Sequence, residues 1–158
     1  MSEERKEVEV PEELEFAKEY IEKSYLMKPN RIVIEIKPEK IREFLTQLSK
    51  TLEDRGKKFY LSTIAGTDLI DKNVIQLDYH LIILPPGQGI VVRTYLPRDN
   101  PRIDSILDLI PGAFSGECET YDLLGIVFEG NKYLKRGFFV PIDITEKNIF
   151  PLRKDSGV

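Results

Sequence analysis

The sequence predicts an α+β fold, a mainly antiparallel sheet backed by two amphipathic helices, with short helices and an extended C-terminal tail. Three observations carry this. Arg31 to Lys37 reads RIVIEIK, with Ile32, Ile34 and Ile36 alternating against Val33, Glu35 and Lys37, the period-two signature of a strand. Ile41, Phe44, Leu45, Leu48 and Leu52 recur at helical spacing, giving one apolar face. Val74 to Leu84 and Ile90 to Leu96 flank Pro85-Pro86-Gly87-Gln88-Gly89, which reads as a hairpin.

The elements follow in order. Residues 1–10 read as a flexible acidic N-terminal arm. Pro11 suits a first helical turn, and Glu12 and Glu13 suit its positive dipole end. Leu14, Ala17, Ile21 and Tyr25 then predict a helix that Pro29-Asn30 ends. After the RIVIEIK strand, Pro38 opens the second helix and Gly56 stops it. Phe59 to Thr67 predicts a strand. In the long strand, Ile75, Leu77, Tyr79, Leu81 and Ile83 share one face, opposite Gln76, Asp78 and His80. Asn100 and Pro101 predict a short capped helix with Ile103, Ile106, Leu107 and Ile110 as its stripe. Glu117 to Leu124 predicts another, stopped by Gly125. The domain reading is an arm at 1–10, a single α+β domain at 11–128 and an extended partner-binding tail at 129–158.

Composition narrows the function. A chain of 158 residues carries one domain. The net charge of −4 withdraws the electrostatic attraction on which nucleic-acid binding depends. Nine Glu against four Lys and Arg fall in residues 1–23, so the acidity belongs to the arm and the remainder is balanced. That arm reads either as a solvated surface or as a docking element for a basic partner. A single cysteine excludes an internal disulfide framework. No apolar run reaches membrane-spanning length, and the start lacks the apolar stretch of a signal peptide, so the expected address is the cytoplasm. Trp is absent and Ile, Glu and Lys are abundant, which leans toward a thermophilic source.

The residue types that carry catalysis are sparse. His80 stands alone at a strand position and reads as structural rather than as a base or ligand. Cys118 lies between Glu117 and Glu119, whose charges raise a thiol pKa. Gly87-Gln88-Gly89 lacks the Lys and Ser/Thr of a phosphate loop. Glu117, Glu119 and Asp122 place three carboxylates in six residues. They read as a helix-end or salt-bridge group, as a partner-docking group, or as a carboxylate-dependent active site using Glu119 and Asp122. Lys132, Lys135, Arg136, Lys147, Arg153 and Lys154 offer countercharges within the chain or on a partner.

At this acidic helix the sequence resembles a known family. Glu117-Cys118-Glu119-Thr120-Tyr121-Asp122-Leu123-Leu124-Gly125-Ile126-Val127-Phe128-Glu129-Gly130 is similar to the signature E-R-E-x-Y-D-x-F-G-I-x-F-x-G of the C subunit of NADH:quinone oxidoreductase, respiratory complex I. Leu134-Lys135-Arg136 resembles the family's L-R-R, Pro141-Ile142-Asp143 its P-x-D, and Pro151-Leu152-Arg153-Lys154-Asp155 its closing P-L-R-K-D. Weaker similarity runs upstream through Leu61 to Asp68, the hairpin and Ser105. Cys118 replaces the usual Arg, Leu124 an aromatic, Asn131-Lys132 a common His-Pro, and Ile144 a Trp, and the stretch from Asp143 to Pro151 is longer. These departures fit better the family's cousins in membrane-bound [NiFe] hydrogenases and related ferredoxin-using or sulfur-reducing complexes.

The resemblance implies a non-catalytic subunit on the cytoplasmic side of the cell membrane, peripheral as part of a complex, with no cofactor of its own. Iron–sulfur clusters and [NiFe], or flavin and quinone sites, are expected in partner subunits. The implied partners are the large catalytic subunit and the neighbouring iron–sulfur small subunit. The implied interface residues are Glu117, Glu119, Tyr121, Asp122, Gly125, Arg136, Pro141, Asp143, Pro151, Leu152, Arg153, Lys154 and Asp155.

Overall fold

The computed structural model describes residues 5–158. Seven strands and three α-helices appear in the order β1 (Ile21–Met27), β2 (Arg31–Ile36), α1 (Ile41–Asp54), β3 (Lys58–Leu69), β4 (Val74–Leu84), β5 (Gln88–Pro97), β6 (Arg102–Asp104), α2 (Phe114–Leu124), β7 (Val127–Glu129) and α3 (Ile142–Thr145). Five strands make one mainly antiparallel sheet in the order β1-β2-β5-β4-β3. β1 runs antiparallel to β2, while β2 and β5 are parallel, with Val33 opposite Val91. The α+β class expected from the sequence is the class observed.

The chain forms two compact units, one comprising the described residues to Ser62 with Asp78–Thr94, the other Thr63–Leu77 with Tyr95–Val158. In the first, α1 buries the expected stripe of Ile41, Phe44, Leu45, Leu48 and Leu52. Each such side chain contributes about 1.5–3 kcal/mol on leaving water. Phe16 stacks on Phe44 with centroids 5.8 Å apart. Tyr25, Val33 and Val91 cluster together with Met27 against them.

Residues 11–28 depart from the predicted helix. Only Glu12–Ala17 is helical, as a short 3-10 segment, and Ile21–Met27 is a strand. The apolar spacing there satisfies either period, and pairing with the free edge of β2 decides it, since tertiary context overrides weak propensity. As a strand, β1 places the Tyr25 hydroxyl 2.7 Å from Arg93 Nη1, and Arg93 grips Asp78 with two bonds of 2.8 and 3.0 Å. Asp78, read as a polar-face residue, is therefore a buried partner. Of the expected arm, residues 1–4 lie outside the described residues. Glu7 bridges to Tyr25, the Val8 N–H donates to the Ser24 carbonyl, and Ser24 Oγ donates back to the Val8 carbonyl.

In the second unit, the helix expected after Asn100 is absent. Arg102–Asp104 is instead a strand, paired in parallel with β7 so that Ile103 lies opposite Phe128. Helix α2 begins one turn earlier than the sequence predicts, at Phe114. It approaches β3 closely: a Cβ on Gly66 would fall 2.3 Å from Leu124 Cδ1. Beyond β7 the chain is turns and the four-residue α3.

Candidate functional site

The signature carboxylates on α2 point inward. Glu117 is wholly buried. Ser105 Oγ lies 2.9 and 2.7 Å from its two oxygens, the Ile106 N–H donates to it at 2.8 Å, and Asn131 Nδ2 donates at 3.1 Å. Asn131 Oδ1 in turn accepts from the Tyr133 N–H at 2.9 Å. One carboxylate thus fixes the exit of β6 and the start of the C-terminal strap.

Asp122 is also wholly buried and anchors the next stretch. It accepts from Arg136 Nε at 2.9 Å and from the N–H groups of Gly137, Phe139 and Val140 at 3.0, 2.7 and 2.8 Å. Burial by itself pushes the Asp122 carboxyl up; these four donors together outweigh it and hold the group below its ordinary value. The Arg136 guanidinium stacks over the Phe150 ring at 4.1 Å and donates to the Ile149 carbonyl.

A third node ties down the end of the chain. Arg98 forks onto buried Asp68 at 2.7 and 2.9 Å, and the Lys154 N–H donates to the same carboxylate at 2.8 Å. Arg98 Nη2 also reaches Asp155 at 2.6 Å. The paired Arg98 holds the Asp68 carboxyl low despite its burial. Arg153 donates to the Leu124 carbonyl at 2.6 Å and the Arg98 carbonyl at 2.9 Å. It thereby satisfies a C-terminal carbonyl of α2 with a cation, the favourable sign for that end of the helix dipole.

Gly125 closes α2 with φ +79, and an added Cβ would sit 3.1 Å from the Phe150 ring. We expect Gly125→Ala to cost about 1–3 kcal/mol, because a left-handed conformation strains any residue with a Cβ. Thermal melting checks this, and an unshifted melt would refute the strain.

The sequence-predicted interface residues thus divide. Glu117, Asp122, Arg136 and Arg153 all form hydrogen bonds within the chain, Arg136 through Nε and Nη2. Asp122 takes four donors, so the carboxylate-enzyme reading with Glu119 finds no free acid–base pair there. Glu119 and Tyr121 are half-buried, Pro141, Asp143, Leu152, Lys154 and Asp155 are exposed, and the Pro151 carbonyl accepts from Ser156 Oγ. Arg98 gives no signal in the sequence, and Asn131 shows there only as a departure from the family pattern, because their partners lie 30 and 14 residues away. Cys118 is buried, and burial first and Glu117 second push its thiol up. Among the described residues, no three His, Cys, Asp or Glu side chains are grouped to hold a metal ion.

The pH dependence follows from the lowered carboxylates. Stability supplied by Asp122 and Asp68 is complete above the ordinary value of 3.8 and is lost as pH falls through their lower folded values. Melting temperature is expected to stay level from neutral pH to about pH 4 and then drop. In Asp122→Asn the drop should be smaller; an equally steep curve would show that Asp122 does not titrate with folding.

A protein-family model described as the 30-kDa subunit of the respiratory-chain NADH dehydrogenase matches residues 34–158. The chain belongs to this family. It is 34% identical over 113 residues to the C subunit of NADH-quinone oxidoreductase from Moorella thermoacetica, covering 72% of this chain and 73% of that one. It is 28% identical over 137 residues to the C subunit of F(420)H(2) dehydrogenase from Methanosarcina mazei, covering 87% and 82%. A chain of the membrane-bound sulfane sulfur reductase, an archaeal respiratory membrane complex, superposes with TM-score 0.76 at 28% identity, over 90% of this chain and 80% of that one. A trypsin-resistant fragment of Nqo5 superposes with TM-score 0.58 at 27% identity, over 68% and 86%. Membership of the 30-kDa family makes this chain a component of a multi-subunit oxidoreductase rather than an enzyme on its own. Among its described residues no helix is long and apolar enough to cross a membrane.

Proposed function

We propose that this protein is a non-catalytic docking and stabilising element of a membrane-bound, ferredoxin-linked complex of the [NiFe] hydrogenase or sulfur-reducing kind. It sits on the cytoplasmic side against the large catalytic subunit and the iron–sulfur small subunit, and these partners hold the redox centres. The reading is supported above all by the C-terminal strap, which three buried carboxylates hold along α2 while leaving Leu152, Asp143 and Lys154 open to solvent. A self-ordered strap meets a partner with its entropy cost already met.

One observation bears on which complex it serves. The signature departs from the complex I pattern at Cys118, Leu124, Asn131 and Ile144. This favours the hydrogenase and sulfur-reductase branch, with hydrogen evolution coupled to ion translocation as the first reading and sulfur reduction as the second.

The test is to affinity-purify the tagged chain from mildly solubilised native membranes and identify its companions. A large subunit holding nickel, with hydrogen evolution, is expected. A nickel-free large subunit with sulfur-reducing activity would establish the second reading. A flavin-bearing NADH-oxidising partner would overturn both.

A further inference from the structure

The second unit displays an aromatic surface that its own packing does not use. Phe139, Tyr133, Phe114 and Phe138 are 61, 52, 39 and 37% exposed. They nevertheless touch: Phe114 meets Tyr133 and Phe138 edge-on at 5.7 and 6.1 Å, and Phe138 meets Phe139 at 5.4 Å. Adjoining solvent-facing rings are costly to a free chain, because burying a whole aromatic side chain removes on the order of 150–250 Å² from water and these rings leave more than a third of their surface exposed. The surface is also held still. The N–H of Phe139 and those of Gly137 and Val140 on either side are bonded to buried Asp122. Fixing a loop whose rings face water gains the isolated chain little, but it removes the ordering cost of binding.

The charges beside these rings select the occupant. Lys132 and Lys135 are exposed, and neither is in an ion pair among the described residues. Lys132 Nζ lies 5.3 Å from the Tyr133 ring centre. Glu129, the acid closest to them in sequence, is committed to Arg102 at 3.3 Å. A second copy of this surface would set lysine against lysine. An anionic lipid surface calls for clusters of about four to eight cations, whereas here exposed Asp143 and Glu146 follow closely.

We propose that Phe114, Tyr133, Phe138 and Phe139, with Lys132 and Lys135 beside them, form the anchor that holds the large catalytic subunit, receiving an apolar segment of that partner flanked by carboxylates. The proposal rests on the docking role argued above and deepens it by naming the contact. Rigid aromatic side chains at such a site carry most of the binding energy, and the lysines set orientation and rate of encounter.

The test replaces Phe139 with photoreactive benzoylphenylalanine in the full tagged chain, irradiates native membranes and maps the crosslink. It should fall on an apolar residue of the large subunit, a few positions from Asp or Glu. A crosslink to a second copy or to lipid, or none in an intact complex, would overturn the proposal. In parallel, Phe138→Ser/Phe139→Ser should lower co-purified large subunit about tenfold or more, and so, to a lesser degree, should Lys132→Glu/Lys135→Glu, which leaves the ring-to-ring contacts in place. The melting temperature of the full chain should hold in both. Undiminished recovery with both variants refutes the anchor while leaving the docking role intact; failure of the wild type to retrieve any large subunit refutes both.

Discussion

Asp122→Ala is expected to unfasten the strap between Tyr133 and Phe150 and to lower stability by about 3–5 kcal/mol. The substitution strips the acceptor from Arg136 and from three backbone N–H groups at once. The guanidinium then keeps its place over Phe150 and its bond to the Ile149 carbonyl without a countercharge. A buried cation that has lost its anion is far costlier than the pair was beneficial. Asp122→Asn is the informative companion. Its amide oxygen can still accept from some of the N–H groups, yet its NH2 must face a donor, so the loss should be large but smaller than that of the alanine variant. Hydrogen exchange reads the effect locally: protection of the Phe139 and Val140 amides should collapse in Asp122→Ala while that of α1 persists. Retained protection at those two amides would show that the loop is held by something other than Asp122.

This result bears on how a short acidic signature should be read. Glu117, Glu119 and Asp122 look like surface charge because they crowd a helix that also carries Tyr121 and Thr120. A carboxylate near a helix start is ordinarily satisfied by the dipole and by water. Here two of the three face inward: Glu117 takes the Ile106 N–H and the side chains of Ser105 and Asn131, and Asp122 takes three N–H groups of the segment after β7, which has too little regular structure to satisfy its own. A buried carboxylate supplies acceptors where no strand partner exists, and the chain wraps around it. The signature can therefore specify the shape of the surface above it without contributing the charges of Glu117 and Asp122 to that surface.

The same logic explains what is legible in the sequence. Strand β2, helix α1 and the β4–β5 hairpin can be read directly because their periodicity is unambiguous and their caps are local. β1 cannot, since Leu14, Ala17, Ile21 and Tyr25 fit a helix while Ile21, Lys23, Tyr25 and Met27 fit a strand, and only the open edge of β2 separates the two. β6 is hidden for a related reason: three residues gain strand geometry solely by lying beside Val127–Glu129. In the site, the resemblance singles out Glu117, Asp122 and Arg136 but not their direction. Arg98 carries no signal, as its partners Asp68 and Asp155 are 30 and 57 residues away. Arg153, expected to reach a partner's acid, donates within the chain to the carbonyl end of α2, and burial pushes its pKa down.

Arg98→Ala is the second substitution with a large expected effect, and it separates the strap's end from its middle. Asp68 has no exposed side-chain surface and would be left with the Lys154 N–H as its donor. The loss should be about 3 kcal/mol, the lower end for an orphaned buried charge, because that donor remains. Residues 151–158 should then become open to carboxypeptidase, whereas the Asp122 node should keep its protected amides. Arg98→Lys should recover only part of the loss, since a single ammonium cannot reproduce the forked pair at 2.7 and 2.9 Å. Removing both charges in Asp68→Asn/Arg98→Met should be milder than Arg98→Ala, because no unpaired ion is left inside. Asp155→Asn, at an exposed carboxylate, should barely alter melting. If the double variant proves no milder than Arg98→Ala, the cost lies in lost packing of the arginine stem, and the electrostatic latch between Asp68 and the chain end does not exist.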